Sequence, residues 1–278
     1  MKIALIDADI IVFEACSVFG GDDPFDGKPR KDYTLDDLQN RVLYEVERIL
    51  DATESEAPIM VFSPDSRLNF RKAVASTYKS NRGGKSTKPA LYWELVRWCR
   101  DRFPSKSIDG LEGDDVLGIM QTKGDGDTVI VSTDKDMKTI PGAHYNHKKD
   151  EFFDVSLNEA NWFWMYQTLC GDSTDGYSGC PGIGDKKAKQ ALPAVETASD
   201  GSPQDFLFRL WHEVKIKYQE HYLHDGVALA EAIRQARLAR ILRGQDYCFD
   251  KNEIILWHPT DTVVYPIVAL KEVMKYQT

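Results

Sequence analysis

Three short apolar runs, each closed by an aspartate, restrict what this chain can become. Lys2-Ile3-Ala4-Leu5-Ile6 leads into Asp7-Ala8-Asp9, and Ile59-Met60-Val61-Phe62 leads to Asp65. Thr128-Val129-Ile130-Val131-Ser132 leads to Thr133-Asp134-Lys135-Asp136. Unbroken apolar runs of this length read as strands buried on both faces of a parallel sheet. Helical patterns lie between them. Thr34 caps a run with Leu38, Val42, Val46 and Ile49 spaced for one face, and Ala90 to Cys99 reads as a second helix. Ser105 to Asp109 supplies a further strand. The alternation predicts an α/β protein with a central, mostly parallel sheet flanked by helices. Ligands bind such sheets outside the C-terminal ends of the strands, which is where the aspartates fall.

The densest acidic stretch is Leu111-Glu112-Gly113-Asp114-Asp115-Val116-Leu117-Gly118. It places Glu112, Asp114 and Asp115 at the first turn of a helix. Converging carboxylates repel and raise one another's pKa, and hard divalent cations with oxygen ligands relieve that repulsion. The Gly171-to-Gly179 loop adds Asp172 and Asp175. The candidate metal acids are therefore Asp7, Asp65, Glu112, Asp114, Asp115, Asp134, Asp136, Asp172 and Asp175. Phosphodiester hydrolysis needs such a set: two Mg²⁺ ions about 4 Å apart activate a water and stabilise the leaving oxygen. No His, Cys or Ser nucleophile pattern competes. The five cysteines are scattered and lack metal-ligand spacing, so no zinc site or disulfide framework is expected and a reducing, cytoplasmic compartment is.

The formal net charge is −9, yet Phe70 to Arg102 carries nine Lys/Arg against two acids. Distribution matters more than the sum. Arg71 and Lys85 are expected to meet phosphates, Tyr78 to stack on a terminal base, and Lys79 and Arg82 to stabilise charge on a phosphoryl group. Gly83-Gly84-Lys85-Ser86 lacks the earlier Gly and the leading strand of a P-loop. Near Glu151 the character changes. Ser156 caps an aromatic helix, and Gly182-Ile183-Gly184 before Lys186 and Lys187 has the form of a helix–hairpin–helix, where glycines and a helix start approach phosphates. Val227 to Arg243 reads as helix and Ile254 to Trp257 as strand. The expected division is a nuclease domain over 1–152, with a basic clamp at about 70–100, and a helical DNA-binding region over 153–278. No run is long enough to span a membrane, and no secretory signal is seen.

Two other classes are weighed. An acid pair after a first strand also opens haloacid-dehalogenase-type phosphatases, but those place their late acid pair after a strand, whereas an aromatic helix precedes Asp172. A DNA-binding protein without catalysis would not need nine acids.

The chain resembles the 5′-nuclease family: flap endonucleases, the 5′-nuclease domain of bacterial DNA polymerase I, and the exonucleases of short-tailed lytic coliphages. The resemblance rests on Leu111–Asp115, on Ser132-Thr133-Asp134-Lys135-Asp136-Met137-Lys138-Thr139-Ile140-Pro141, on Gly171-Asp172-x-Thr174-Asp175-Gly176-Tyr177-Ser178-Gly179, and on Ala239-Arg240-Ile241-Leu242-Arg243. It implies a PIN-like fold. It also implies Asp7, Asp65, Glu112 and Asp114 around a first metal, Asp134, Asp136, Asp172 and Asp175 around a second, and Asp115 shared or behind them. Lys79 and Arg82 match the basic pair of an arch over the site, and Gly182, Ile183 and Gly184 match a hairpin that binds K⁺ through carbonyls. Asp9 departs from the pattern of most flap endonucleases. The implied activity is a 5′→3′ exonuclease on ends and nicks of duplex DNA, on 5′ flaps and on RNA–DNA hybrids. The implied ions are Mg²⁺, with Mn²⁺ able to substitute; a cytoplasmic setting is expected, that of the host if the chain is phage-encoded, and the oligomeric state is left open.

Overall fold

Side chains alternate along the central strands, so the sheet is covered on both faces. The computed structural model describes residues 1–18, 33–64, 68–82, 88–124, 126–195, 202–259 and 268–269. Asp65, Lys85 and the side chain of Arg82 lie outside the described residues, as do residues 19–32 and 196–201. β1 (Ile3–Asp7) pairs in parallel with β2 (Ala57–Val61) and β4 (Thr128–Val131). β3 (Ser105–Lys106) and β5 (Gly142–Asn146) extend the parallel sheet, and β6 (Glu151–Val155) closes it antiparallel, giving the order β3-β2-β1-β4-β5-β6.

Ala4, Ile6, Met60, Val129 and Val131 face α1 (Ala8–Val18), α2 (Leu35–Thr53) and α4 (Tyr92–Arg102). Leu5, Val61 and Ile130 face the opposite layer, led by α5 (Gly113–Lys123). α2 follows its sequence signals closely. Thr34 and Asp37 exchange capping bonds, and Leu38, Val42, Val46 and Ile49 are buried. A second core forms where α6 (Leu157–Cys170), α8 (Pro203–Gln219) and α9 (Asp225–Ala239) pack Trp164, Leu169, Phe206, Leu210, Val214, Ala232 and Ala236 together. α7 (Asp185–Ala191) lies against it through Ala188.

The β5–β6 hairpin was not expected from the sequence. Its strands carry His144, Asn146 and Asp154 and show no unbroken apolar run. A boundary after residue 152 falls inside β6, and the two layers share the late chain, since Ile241, Leu242, Tyr247 and Ile254 pack on the sheet. The expected Ile254–Trp257 strand is shorter and earlier, Glu253–Ile254. The last long helix stops at Ala239 and not at Arg243. Buried Asp246 accepts from Arg240 Nε and from the Arg243 N–H, at 2.8 and 2.9 Å, and turns the chain back along α5.

That return path presses on Gly118. A Cβ there would lie 2.3 Å from the Leu242 carbonyl oxygen, a contact that backbone must give way to accommodate. Gly118→Ala should lower stability by about 1–3 kcal/mol, as overpacking does, measured by urea denaturation. Gly126→Ala, where the nearest atom is 3.9 Å away, should stay within about 0.5 kcal/mol of wild type.

Candidate active site

The strand order reverses between β1 and β4, and such switch points are where parallel sheets bind ligands. Asp7 ends β1 there, and Asp134 caps the 3₁₀ turn Lys135–Thr139 that follows β4. Asp114 enters from the first turn of α5, which Glu112 caps. Asp7 accepts from Ser132 Oγ at 2.9 Å. Asp134 accepts the Asp136 N–H at 2.8 Å, and Asp136 accepts from Gln167 Nε2 at 2.7 Å. Asp172 accepts the N–H groups of Thr174 and Asp175 at 2.7 and 3.3 Å and meets Lys135 at 3.3 Å. Its loop is possible only because Gly171 and Gly179 lie back to back: a Cβ on Gly171 would sit 2.4 Å from the Ser178 carbonyl carbon, and its φ is +69°.

Lys79 stands at the centre of this edge in left-handed backbone, φ +52°. Its Nζ bonds Glu112 Oε1 and lies 3.6 Å from Asp175 Oδ2. Its own N–H donates to the Asp175 carbonyl at 2.8 Å. The lysine thus ties the Glu112 turn to the Asp172–Asp175 loop.

The charges are not balanced. Asp7 is pushed up to about 7, first by burial and then by Asp9, with Asp134 adding to it. Burial, Asp7, Asp134 and Glu112 push Asp114 well above the carboxylate range. Burial and Asp134 raise Asp136 to about 6. Glu112 goes the other way. Burial opposes its charge, but Arg71 and Lys79 outweigh that and hold it at about 2. Burial also opposes the charge of Asp172, yet the Thr174 N–H and Lys135 keep it low. Among the described residues no three His, Cys, Asp or Glu side chains close into a ready-made metal cage. The donor set nonetheless fits hard divalent ions, which keep several waters and take only a few carboxylates each. Asp7, Asp114, Asp134 and Asp136 are oxygen donors whose mutual repulsion such an ion removes.

Three expectations are corrected. Asp115 is fully buried and turned away from the edge. Its oxygens take Arg71 at 2.7 and 2.7 Å, the Leu242 N–H at 3.0 Å and the Glu112 N–H at 3.1 Å, so it braces the site from behind the edge acids. Arg71 is 2 % exposed. It spends its donors on Asp115, on Glu112 at 3.1 Å, and on the carbonyls of Leu238 and Arg240 at 3.1 and 2.6 Å, and cannot reach a phosphate. Tyr78 is also 2 % exposed. Its hydroxyl donates to Glu112 and Asp175 at 2.8 and 3.0 Å, so it positions acids and offers no stacking face.

Asp9, whose part was open, accepts the Ser63 N–H at 2.8 Å and the Tyr92 hydroxyl at 3.3 Å, joining α1 to the end of β2 and to α4. Sequence reasoning missed Ser132 and Gln167. Ser132 stood at the strand's last position. Gln167 was detectable only as a polar residue on an aromatic helix.

At the hairpin, Gly184 caps α7, and Gly182, Gly184, Lys186 and Lys187 are exposed while Ile183 is partly buried. Gly182 adopts φ +71°, and its carbonyl accepts from Lys187 Nζ at 2.9 Å. No helix among the described residues is long and apolar enough to cross a membrane.

No protein-family model matches the chain. It is 33% identical over 231 residues to the exodeoxyribonuclease of Enterobacteria phage T3, covering 73% of this chain and 74% of that one. It is 33% identical over 228 residues to the exonuclease of Escherichia phage T7, with the same coverage. The flap endonuclease Xni of Shewanella amazonensis matches at 27% over 171 residues, 57% of this chain and 67% of that one. A bacteriophage T5 flap endonuclease, solved as a pseudo-enzyme-product complex with DNA and metal ions, superposes with a TM-score of 0.52 at 16% identity. That superposition covers 86% of this chain and 99% of the other, and it shows a shared PIN-like fold. Acid edge and relatives together define a metal-dependent nuclease. The chain belongs to the 5′-nuclease family, alongside the exonucleases of phages T3 and T7.

The imbalance at Asp7 has a measurable sign. Its carboxyl sits at about 7 in the folded protein against an ordinary 3.8, so the folded state holds the proton more tightly. Its contribution to stability is complete below about pH 4 and is lost as pH rises through about 7. With metals chelated, Asp7→Asn should therefore melt at a higher temperature than wild type at pH 8, and the gain should disappear at pH 4. Added Mg²⁺ should stabilise wild type at pH 8 more than the variant. Equal melting of the two proteins at pH 8 in chelator would contradict this reading.

Proposed function

We propose that this chain is a 5′→3′ exonuclease that hydrolyses phosphodiester bonds from 5′ ends and nicks of duplex DNA by two-metal-ion catalysis. RNA of RNA–DNA hybrids and 5′ flaps are further substrates. The carrying observation is the meeting of Asp7, Asp114 and Asp134 at the switch point, where the charge of Asp134 acts on both Asp7 and Asp114 and Lys79 stands beside them. Asp7, Asp114 and Glu112, with Asp65, would hold one Mg²⁺ ion, and Asp134, Asp136, Asp172 and Asp175 the other; Mn²⁺ would substitute. When bound, the ions supply activation of a water and neutralisation of the leaving oxygen.

The residues do the rest. Asp114 is held close to the charges of Asp7 and Asp134, and Asp136 to that of Asp134, and both are worth most as ligands when ionised. Glu112 neutralises Lys79 in the free protein. Once Glu112 is engaged elsewhere, the Lys79 ammonium is free for the scissile phosphate, with Arg82 as its partner in the basic pair. A cation placed there matters most as charge develops in the transition state. Exposed Gly182, Gly184, Lys186 and Lys187 would hold the duplex by its phosphates, contacts that position without reading sequence. K⁺ at this hairpin would take the Gly182 carbonyl now held by Lys187. The division of labour follows: chemistry in the sheet domain, duplex grip in the helical region.

Polarity tests the reading. With Mg²⁺, a covalently closed circle should resist, a single nick should restore attack, and 5′-labelled duplex should release its label early, while Asp114→Asn leaves every substrate intact. Release from 3′ ends would overturn it.

A second experiment separates grip from chemistry. Lys79→Ala should slow single turnover at saturating enzyme by roughly a hundredfold or more, on the order of 3 kcal/mol. Lys186→Ala with Lys187→Ala should weaken binding evenly on all sequences and flatten its salt dependence. Slow saturated turnover in the hairpin variant, with weak binding alone in Lys79→Ala, would reverse the two roles.

A further inference from the structure

Buried Arg243 has no part in the chemistry above, yet it touches the acid edge from behind. It is 3 % exposed. Its Nε and Nη2 donate to the Thr139 carbonyl at 3.3 and 2.8 Å, and its Nη1 to Asn161 Oδ1 at 2.8 Å. Thr139 ends the 3₁₀ turn that begins beside Asp134, and its own hydroxyl donates to the Asp136 carbonyl at 2.8 Å. Asn161 lies on α6, the helix whose Gln167 donates to the Asp136 carboxylate. One guanidinium thus grips both supports of Asp136: the turn that carries it and the helix that orients it.

The residue before it grips the other acid turn. The Leu242 N–H donates to Asp115 Oδ1, and the carbonyls of Leu238 and Arg240 hold Arg71, which in turn holds Asp115 and Glu112. Leu238 to Arg243 therefore spans from the Glu112–Asp115 turn to the Asp134–Thr139 turn. Asp246 braces the span by taking Arg240 and the Arg243 N–H. Packing alone does not ask for a guanidinium at this place. An aliphatic side chain would fill similar volume without burying a charge whose side-chain acceptors here are a carbonyl and an amide. A planar fork with several fixed donors is, however, suited to holding two acceptors at a set spacing.

We infer that Arg243 is a positioning residue: by clamping Thr139 and Asn161 to the late segment, it fixes the second acid set, Asp136 foremost, at its working distance from the first. The inference rests on the two-ion reading above. Groups that orient metal ligands without touching the metal typically alter affinity or activity by roughly 10–100-fold when removed.

The test uses the full chain with Arg243→Met, which keeps length and removes the donors, and Arg243→Lys, which keeps charge but has no fork. Mn²⁺ titration by calorimetry should show two ions on wild type and one of them weakened by roughly 10–100-fold in Arg243→Met. Arg243→Lys should fall between the two, and it carries the test alone if the methionine variant does not fold. The Mn²⁺ concentration for half-maximal cleavage should rise in step, excess Mn²⁺ should restore kcat, and KM for duplex DNA should stay unchanged. The side-chain amide of Gln167 should shift in nitrogen–proton spectra of the metal-free variant. Excess Mn²⁺ would also offset a plain loss of fold stability, so the Gln167 amide, read on the folded metal-free protein, separates that loss from loss of the clamp. Equal weakening of both ions, or no weakening, overturns the clamp, and so does an unmoved Gln167 amide, whatever the stoichiometry. Fewer than two ions on wild type would defeat the two-ion reading instead, with the Gln167 signal still deciding the clamp.

Discussion

The buried pair Arg71–Asp115 is the contact on which the site depends. Two parallel bonds of 2.7 Å join them in the interior. Taking both charges out of water is costly, and such a pair is weak evidence for stability. Its effect here is geometric. Through Arg71 the start of α3 (Phe70–Val74) is tied to the first turn of α5, and through Asp115 that turn is tied to the Leu242 N–H. Tyr78 and Lys79 follow α3 by a few residues, so the same pair sets where their polar ends meet Glu112 and Asp175. Removing either partner would strand a buried charge and release three segments together.

In front of that brace the electrostatics run in the opposite direction. Glu112 is held ionised by cations, whereas Asp7, Asp114 and Asp136 are held toward the neutral form by burial and by each other. A protein selected for metal-free stability would pair these acids or replace them. Gathering them on one edge makes the folded chain hold protons tightly while offering oxygen donors to divalent cations, whose uptake would displace those protons. The net charge of −9 belongs to the same arrangement. On the proposed reading, the acids that a polyanion would find repulsive are those the ions would neutralise, and the exposed lysines of the hairpin would meet phosphate separately.

Much of this was legible because strands and helices bury side chains with fixed periods. The α2 face, the three central strands and the placement of Asp7 and Asp134 at strand ends followed from pattern alone. What was not legible were properties of partners far along the chain. Arg71 and Tyr78 read as a basic and aromatic surface because nothing local reveals that Asp115, 44 residues on, and Glu112, 34 residues on, cover them. Asp115 read as shared between the ions or behind them, and the rotation of about 100° between neighbouring helical residues turns it away from Asp114 and into the interior. The β5–β6 hairpin lacked an apolar run because it is built on aromatic pairs, Tyr145 with Phe152 and His144 with Phe153.

The late segment shows why family resemblance and physics answer different questions. Ala239 to Arg243 stood out as a motif without a task, and helical periodicity wrongly carried α9 through it. The structure supplies the physical reason for its residue types. Small Gly118 lets the Leu242 backbone lie flush on α5, Arg240 anchors the turn on Asp246, and the Arg243 fork reaches across to Thr139 and Asn161. A segment distant in sequence from every acid thereby joins the two turns that carry them. The spacing of a metal edge depends on backbone held by such indirect contacts, since the carboxylates themselves repel and cannot set their own separation.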